Sequence, residues 1–306
     1  MPRVPKRLID SVVFLYESEE AAYAGAKTGG TGYLTSIPFS TGGPGIWHAH
    51  LYLVTNSHVA DHGGSVSVRI NTKSGGIEVL TIPREKWTHH PDGDDIAVVS
   101  MEDLSSDTLQ LSDVPTDIYM AEGHSENGIF GEGDECFVVG RNVGLEGLEF
   151  NTPACRFGAV AIMRPGKVWQ PERQHAQESV VVEARSLGGF SGAPVFIYQA
   201  PPILAPETDD MKQWPVVVHS YMQSGFAFLG ITWGHHNGRK PIEGPWLDWP
   251  TIERDLVVNS GMMLVVPAWK IEEILQLPHF VEERRAAEAR LSEAANKSFE
   301  SDPTHK

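Results

Sequence analysis

Ser191 stands in the stretch SLGGFSGAPVF, residues 186–196, where small residues crowd around Phe190 and Ser191 ahead of an apolar run. A serine hydroxyl is a weak nucleophile until a neighbouring base takes its proton, and that base works best when a carboxylate orients it. Both partners occur in strand-end contexts. His58 follows the run LYLVT in TNSHVA, and Asp95 sits at the mouth of IAVVSM in DGDD. Together His58, Asp95 and Ser191 could carry out acyl transfer: attack on a carbonyl, a covalent acyl intermediate, then hydrolysis. Glycine and serine also gather in turns for conformational reasons alone. The stretch 186–196 by itself therefore fits a nucleophile and a turn serine alike. Asp95 is preferred to Asp94 because it directly precedes the buried run, whereas Asp94 reads as a solvated turn residue.

The elements that must position these side chains are β-strands. Short apolar runs recur between Gly, Pro, Asn and Asp: SVVFLY, GTGYLTS, LYLVTN, SVSVRI, IEVLTI and DIAVVSM, then CFVVG, CRFGAVAIM, SVVVEA, APVFIY, FAFLGITWG and GMMLVVP. With few helical periods between them, they predict an all-β sandwich or barrel rather than a parallel α/β sheet. The polar interval 103–135 reads as a linker between two β units. The expected division is 1–125 with His58 and Asp95, 126–266 with Ser191, and a helix and charged tail over 267–306. PAWKIEEILQL opens that helix, with Trp269, Ile271 and Ile274 as its docking face. Beyond Pro278 the stripe Phe280, Ala287, Leu291 and Ala294 is thin, and the tail reads as a solvated helix.

The chain has 306 residues, 41% apolar and 21% charged, with a formal net charge of −16. That balance suits a globular protein and argues against nucleic acid or an anionic membrane surface as partner. No apolar stretch reaches the length of a membrane span. Asp10 interrupts the N-terminal apolar run, so SVVFLYES reads as a first strand rather than a leader peptide. Two cysteines, Cys136 and Cys155, give no disulfide framework, and a cytoplasmic location is expected.

TNSHVA, DIAVV and GFSGAPV, in that order, resemble the trypsin-like serine peptidases of the chymotrypsin fold, above all the bacterial members. GTGYLTS resembles their Gly-rich first-barrel strand, LGITWG the strand lining their specificity pocket, and VVPAWKIEEIL their C-terminal helix. The resemblance covers most of residues 9–277. It implies two six-stranded antiparallel β-barrels with a C-terminal α-helix, a protein or peptide substrate and no cofactor. His58 would be general base, Asp95 its orienting acid and Ser191 the nucleophile. The N–H groups of Gly189 and Ser191 would form the oxyanion hole. Thr232 would stand beside Asp95, and Arg185, Thr232, Trp233 and Gly234 would lie at the substrate pocket. The alternative α/β-hydrolase arrangement runs serine, acid, histidine, with G-x-S-x-G at the nucleophile. Here the order is reversed and Ala193 ends the motif.

Some features depart from that family. Phe190 occupies the place of the acid that pairs with a newly cut N-terminus in the digestive and clotting members, so no activation by trimming is expected. Arg185 replaces the pocket-floor acid of the Lys- and Arg-specific members. It either points into the pocket and favours acidic or polar side chains, or faces solvent or pairs with a nearby acid such as Glu183. The Pro-rich segment 199–224 is a loop beside the cleft or a passive surface loop. No peptide-binding module follows the catalytic region, so a regulatory protein would act in trans. The pairs His48 and His50, His89 and His90, and His235 and His236 lack a diagnostic ligand spacing, and they read as surface histidines with no metal. AGAKTGG lacks the glycines of a phosphate loop.

Overall fold

Every residue from Val12 to Tyr16 is buried, and the alternation of a strand divides them between two cores. Val12, Phe14 and Tyr16 face one cluster, while Val13 and Leu15 face another with Leu34, Leu53 and Val68. A computed structural model describes residues 3–40, 47–61, 64–102, 104, 107–126, 129–145, 147–164, 166–171, 173–184, 188–198, 225–241 and 255–301. In it the N-terminal strands are β1 (Val12–Tyr16), β2 (Gly30–Ser40), β3 (Trp47–Thr55), β4 (Ser65–Asn71), β5 (Ile77–Pro83), β6 (Thr88–His89), β7 (Ala97–Ser100) and β8 (Val114–Pro115). They form one curled sheet in the order β5-β4-β1-β2-β3-β7-β6, with β8 parallel to β2. β9 (Glu135–Gly140), β10 (Ala154–Ile162), β13 (Val180–Glu183), β14 (Pro194–Tyr198), β15 (Phe226–Pro241) and β16 (Asp255–Pro267) close a barrel in the order β10-β13-β16-β15-β14-β9. Between β10 and β13, β11 (Lys167–Gln170) and β12 (His175–Glu178) pair as a separate hairpin.

The fold is thus all-β with chymotrypsin-like architecture, and each of the twelve apolar runs contributes a strand. The N-terminal sheet carries its six long strands plus the two-residue β6 and β8, and it curls as a half-barrel instead of closing. Among the described residues, no helix is long and apolar enough to cross a membrane.

Within the polar interval 103–135, Ile118, Tyr119 and Met120 are buried. The Tyr119 ring lies 4.5 Å from that of Phe228, and its hydroxyl meets those of Tyr33 at 2.6 Å and Thr35 at 2.8 Å. Phe137, Phe196 and Phe228 from the barrel join Phe14, Tyr33 and Tyr52 from the half-barrel in one cluster. Each fully buried aromatic of this kind contributes about 1.5–3 kcal/mol. The apolar seam holds the two halves, and their catalytic candidates, in register.

A helix over Ala268–Leu275 buries Trp269, Ile271 and Ile274, the expected face. The next helix, Pro278–Ser301, is not simply solvated. Phe280 and Arg284 are buried, and the Arg284 guanidinium donates to the Tyr52 hydroxyl at 3.1 Å and the Leu275 carbonyl at 2.8 Å. Of the apolar stripe Phe280 is buried, its ring 5.3 Å from that of Tyr52, whereas Leu291 is 40% exposed, so the anchor is Phe280 together with the buried arginine; the Ala294 side chain lies outside the described residues. Arg284→Ala is expected to cost about 1–3 kcal/mol, since it strands two acceptors. Hydrogen exchange over 278–293 should accelerate more than in the barrel strands.

Cys136 and Cys155 lie on neighbouring strands and are free. Cys155 faces Val139, while Cys136 faces Gly158, so the two are out of register. Burial, with Glu135 nearby, pushes the Cys136 thiol up to about 12, which keeps it protonated and unreactive.

Candidate active site

His58 lies in the single helical turn Ser57–Ala60 that ends β3. Asn56 and Ser57 tie that turn to the segment before β7: Asn56 Nδ2 donates to the Asp95 carbonyl and Ser57 Oγ to the Ile96 carbonyl, both at 2.8 Å. The two elements are thereby aligned, and Asp95 meets His58 twice. Its Oδ2 is 2.6 Å from His58 Nδ1, and its Oδ1 accepts the His58 backbone N–H at 2.9 Å. A carboxylate only accepts, so Nδ1 carries the proton and Nε2 of the neutral ring offers a lone pair. His58 Nε2 is shielded from solvent and has no hydrogen-bond partner among the described residues. Burial alone would raise the Asp95 carboxyl. The hydrogen bonds and charge of His58, with the Arg173 guanidinium, outweigh it and hold Asp95 below the usual carboxylate range.

Ser191 sits in the turn entering β14, at the seam with β2. Thr31 of β2 grips that turn: its N–H donates to the Ser191 carbonyl at 2.8 Å and its hydroxyl to the Gly189 carbonyl at 2.6 Å. Ala193 N–H (2.9 Å) and the Thr232 hydroxyl both donate to the Phe190 carbonyl. The three carbonyls from 189 to 191 are thus turned to the scaffold. The N–H groups of Gly189 and Ser191 donate no hydrogen bond among the described residues. Gly189 has φ of 96°, a conformation that side chains resist.

Gly192 combines the same constraint with close packing. Its φ is 83°, and a Cβ there would overlap the Thr31 carbonyl and lie 2.5 Å from Thr55 Oγ1. Gly192→Ala is expected to lower the unfolding free energy by about 1–3 kcal/mol from the backbone strain alone, read by urea denaturation.

Several expectations change here. The Thr232 hydroxyl braces the nucleophile turn instead of Asp95. Asp95 is supported from another direction, its N–H donating to Gln177 Oε1 at 2.6 Å. Trp233 is fully buried with its indole N–H on Ser179 Oγ at 3.1 Å, so it is a core residue and not a pocket wall. Gly234 is half-buried and faces Gln170. Arg185 and the segment 199–224 lie outside the described residues. Asp94 is no solvated turn residue: it is buried, 3.5 Å from His90 Nδ1 and 3.9 Å from Lys270 Nζ.

Two histidines read as surface residues are interior. His50 is buried between Glu102 at 2.5 Å and Glu288 at 3.1 Å. His90 is buried with Nε2 3.0 Å from Glu273. Among the described residues, His90, Asp92 and Glu273 bring three potential metal-ligand atoms together. His90 Nδ1 already accepts the Asp92 N–H at 3.3 Å, and Lys270 Nζ lies 3.0 Å from Glu273. Through His90, Glu273 of the Ala268–Leu275 helix is tied to the segment before β7.

Sequence reasoning missed Thr31 and Gln177. Thr31 lies in GTGYLTS, which marks a strand but not a brace, and glutamine carries no catalytic signature.

A search of curated proteins gives no match. Among solved structures, the chain is similar to the MamO protease domain of Magnetospirillum magneticum, at 16% identity and TM-score 0.49 over 88% of this chain and 98% of that one. It is similar to the HtrA-type protease AlgW at 15% identity and TM-score 0.43, over 90% of this chain but 62% of AlgW. Human heparin binding protein is similar at 12% identity and TM-score 0.47, over 90% and 96% of the respective chains. The family model of the trypsin-like peptidase domain matches residues 40–200, more than half of the chain and the whole span from His58 to Ser191. The chain belongs to the trypsin-like peptidase domain family, and its function is of the protease type.

Proposed function

We propose that this chain is a serine endopeptidase acting through His58, Asp95 and Ser191. The observation that carries the reading is the Asp95–His58 pair, which fixes the ring by two contacts and leaves the Nε2 lone pair without a partner among the described residues. Nε2 takes the Ser191 hydroxyl proton as Oγ attacks the scissile carbonyl. The N–H groups of Gly189 and Ser191 receive the oxyanion. The imidazolium, stabilised by Asp95, gives its proton to the leaving amine, and water then releases the acyl group by the reverse proton path. The substrate is a protein or peptide, and none of these steps requires a cofactor.

The unpartnered Nε2 also favours a second reading, in which the Ser191 hydroxyl engages His58 only once a substrate or a regulatory protein is bound. Catalytic hydrogen bonds commonly tighten at that stage. Incubation with a pool of unstructured peptides, with products read by mass spectrometry, tests the first reading. New termini from wild type, absent with His58→Ala and Ser191→Ala, support it. Equal products from all three proteins would reject it.

A further inference from the structure

We infer that Gln177, on the β11–β12 hairpin, is a positioning residue for the Asp95–His58 pair. The inference rests on the serine peptidase reading. Gln177 is fully buried, and its Oε1 accepts the Asp95 N–H at 2.6 Å across 82 residues of chain. Asn56 holds the Asp95 carbonyl on the other side. The two peptide groups flanking the Asp95 side chain are thus both fixed, one from each half of the molecule.

The hairpin has its own footing on β15. Ser179 Oγ, just beyond β12, accepts the Trp233 indole N–H, and the His175 ring meets the edge of Trp233 at 6.3 Å. Gln170 packs on Gly234. One residue before Trp233, Thr232 braces the Ser191 turn. Gln177 therefore links the loop of the orienting acid to the strand that supports the nucleophile.

The Gln177 Nε2 amide is solvent-excluded and has no partner among the described residues. A buried amide donor left unpaired forfeits its hydration without recompense. A leucine of similar size would avoid that cost but could not accept the Asp95 N–H. The hydrogen bond to Asp95 is what glutamine adds at this position.

The test uses the full chain with Gln177→Leu and the isosteric Gln177→Glu. The first readout is the low-field proton resonance of His58 Nδ1–H, which needs no turnover. The second is the rate of inactivation by diisopropyl fluorophosphate as a function of pH. Gln177→Leu is expected to shift or broaden the resonance and slow inactivation about 10–100-fold, the scale of a small misplacement of a catalytic group. Gln177→Glu keeps an acceptor and should retain the resonance. Its added negative charge favours the imidazolium, so the acid limb of the inactivation profile should move to higher pH. A role in packing alone would leave the resonance and the inactivation rate of a folded Gln177→Leu unchanged. A folded Gln177→Leu with unchanged resonance and rate overturns the inference, as does an unmoved limb in Gln177→Glu should the leucine variant not fold. If wild type does not react with the fluorophosphate, the peptidase reading has failed, and the resonance alone decides whether Gln177 positions the pair.

Discussion

Replacing Ser191 with alanine is expected to lower kcat for peptide hydrolysis by about 10⁶-fold, the scale seen when a member of such a triad is removed. The fold should remain, because the scaffold grips this turn through the Gly189, Phe190 and Ser191 carbonyls and the Gly192 N–H, not through the serine hydroxyl. Substrate binding should remain as well, so the loss falls on kcat and not on KM. Removing His58 in addition should change little, since a nucleophile without its base and a base without its nucleophile are both idle. His58→Ala/Ser191→Ala should therefore lie within a few-fold of either single variant. Steady-state kinetics on one cleaved peptide checks this, and independent, multiplying losses would count against a concerted pair.

Asp95→Asn should cost about 10⁴-fold in kcat while leaving the backbone in place. The carboxylate uses both oxygens, one on His58 Nδ1 and one on the His58 N–H. Asparagine has a single side-chain acceptor and can keep only one of these contacts. Its NH₂ group then favours the tautomer with the proton on Nε2, which removes the base. The same substitution alters the pH dependence of stability. His58 holds the Asp95 carboxyl below its ordinary range in the folded state. The resulting stabilisation is fully present above the unfolded value near 3.9 and is lost as pH falls through the lower folded value. Wild type should therefore exceed Asp95→Asn in stability at neutral pH, and the gap should narrow on acidification. Urea denaturation at a series of pH values reads this directly.

Features set by short stretches were legible in the sequence. The alternating apolar runs announced their strands because each needs only its own residues to show a period of two. His58 and Asp95 were legible because each stands at a strand end in a short characteristic context. What escaped was fixed by partners far away in the chain. Gln177 reaches Asp95 across 82 residues, and Arg284 reaches Tyr52 across 232. Neither pairing leaves a local pattern. Tyr119 was hidden for a different reason. It lies in a polar interval, and its burial depends on Phe228 and Tyr33 closing over it. Asp94 and His50 are of residue types that suggest exposure. Both are interior with polar partners from far along the chain, Lys270 for Asp94 and Glu102 and Glu288 for His50.

The most direct measurement is labelling with a fluorophosphonate probe, wild type beside Ser191→Ala, with the modified peptide located by mass spectrometry. A phosphonyl adduct on Ser191 in wild type and none in the alanine variant is the predicted result, because only a hydroxyl activated by a neighbouring base reacts readily with such a probe. Absence of adduct in folded wild-type protein, or equal labelling of both proteins at another residue, would contradict the account.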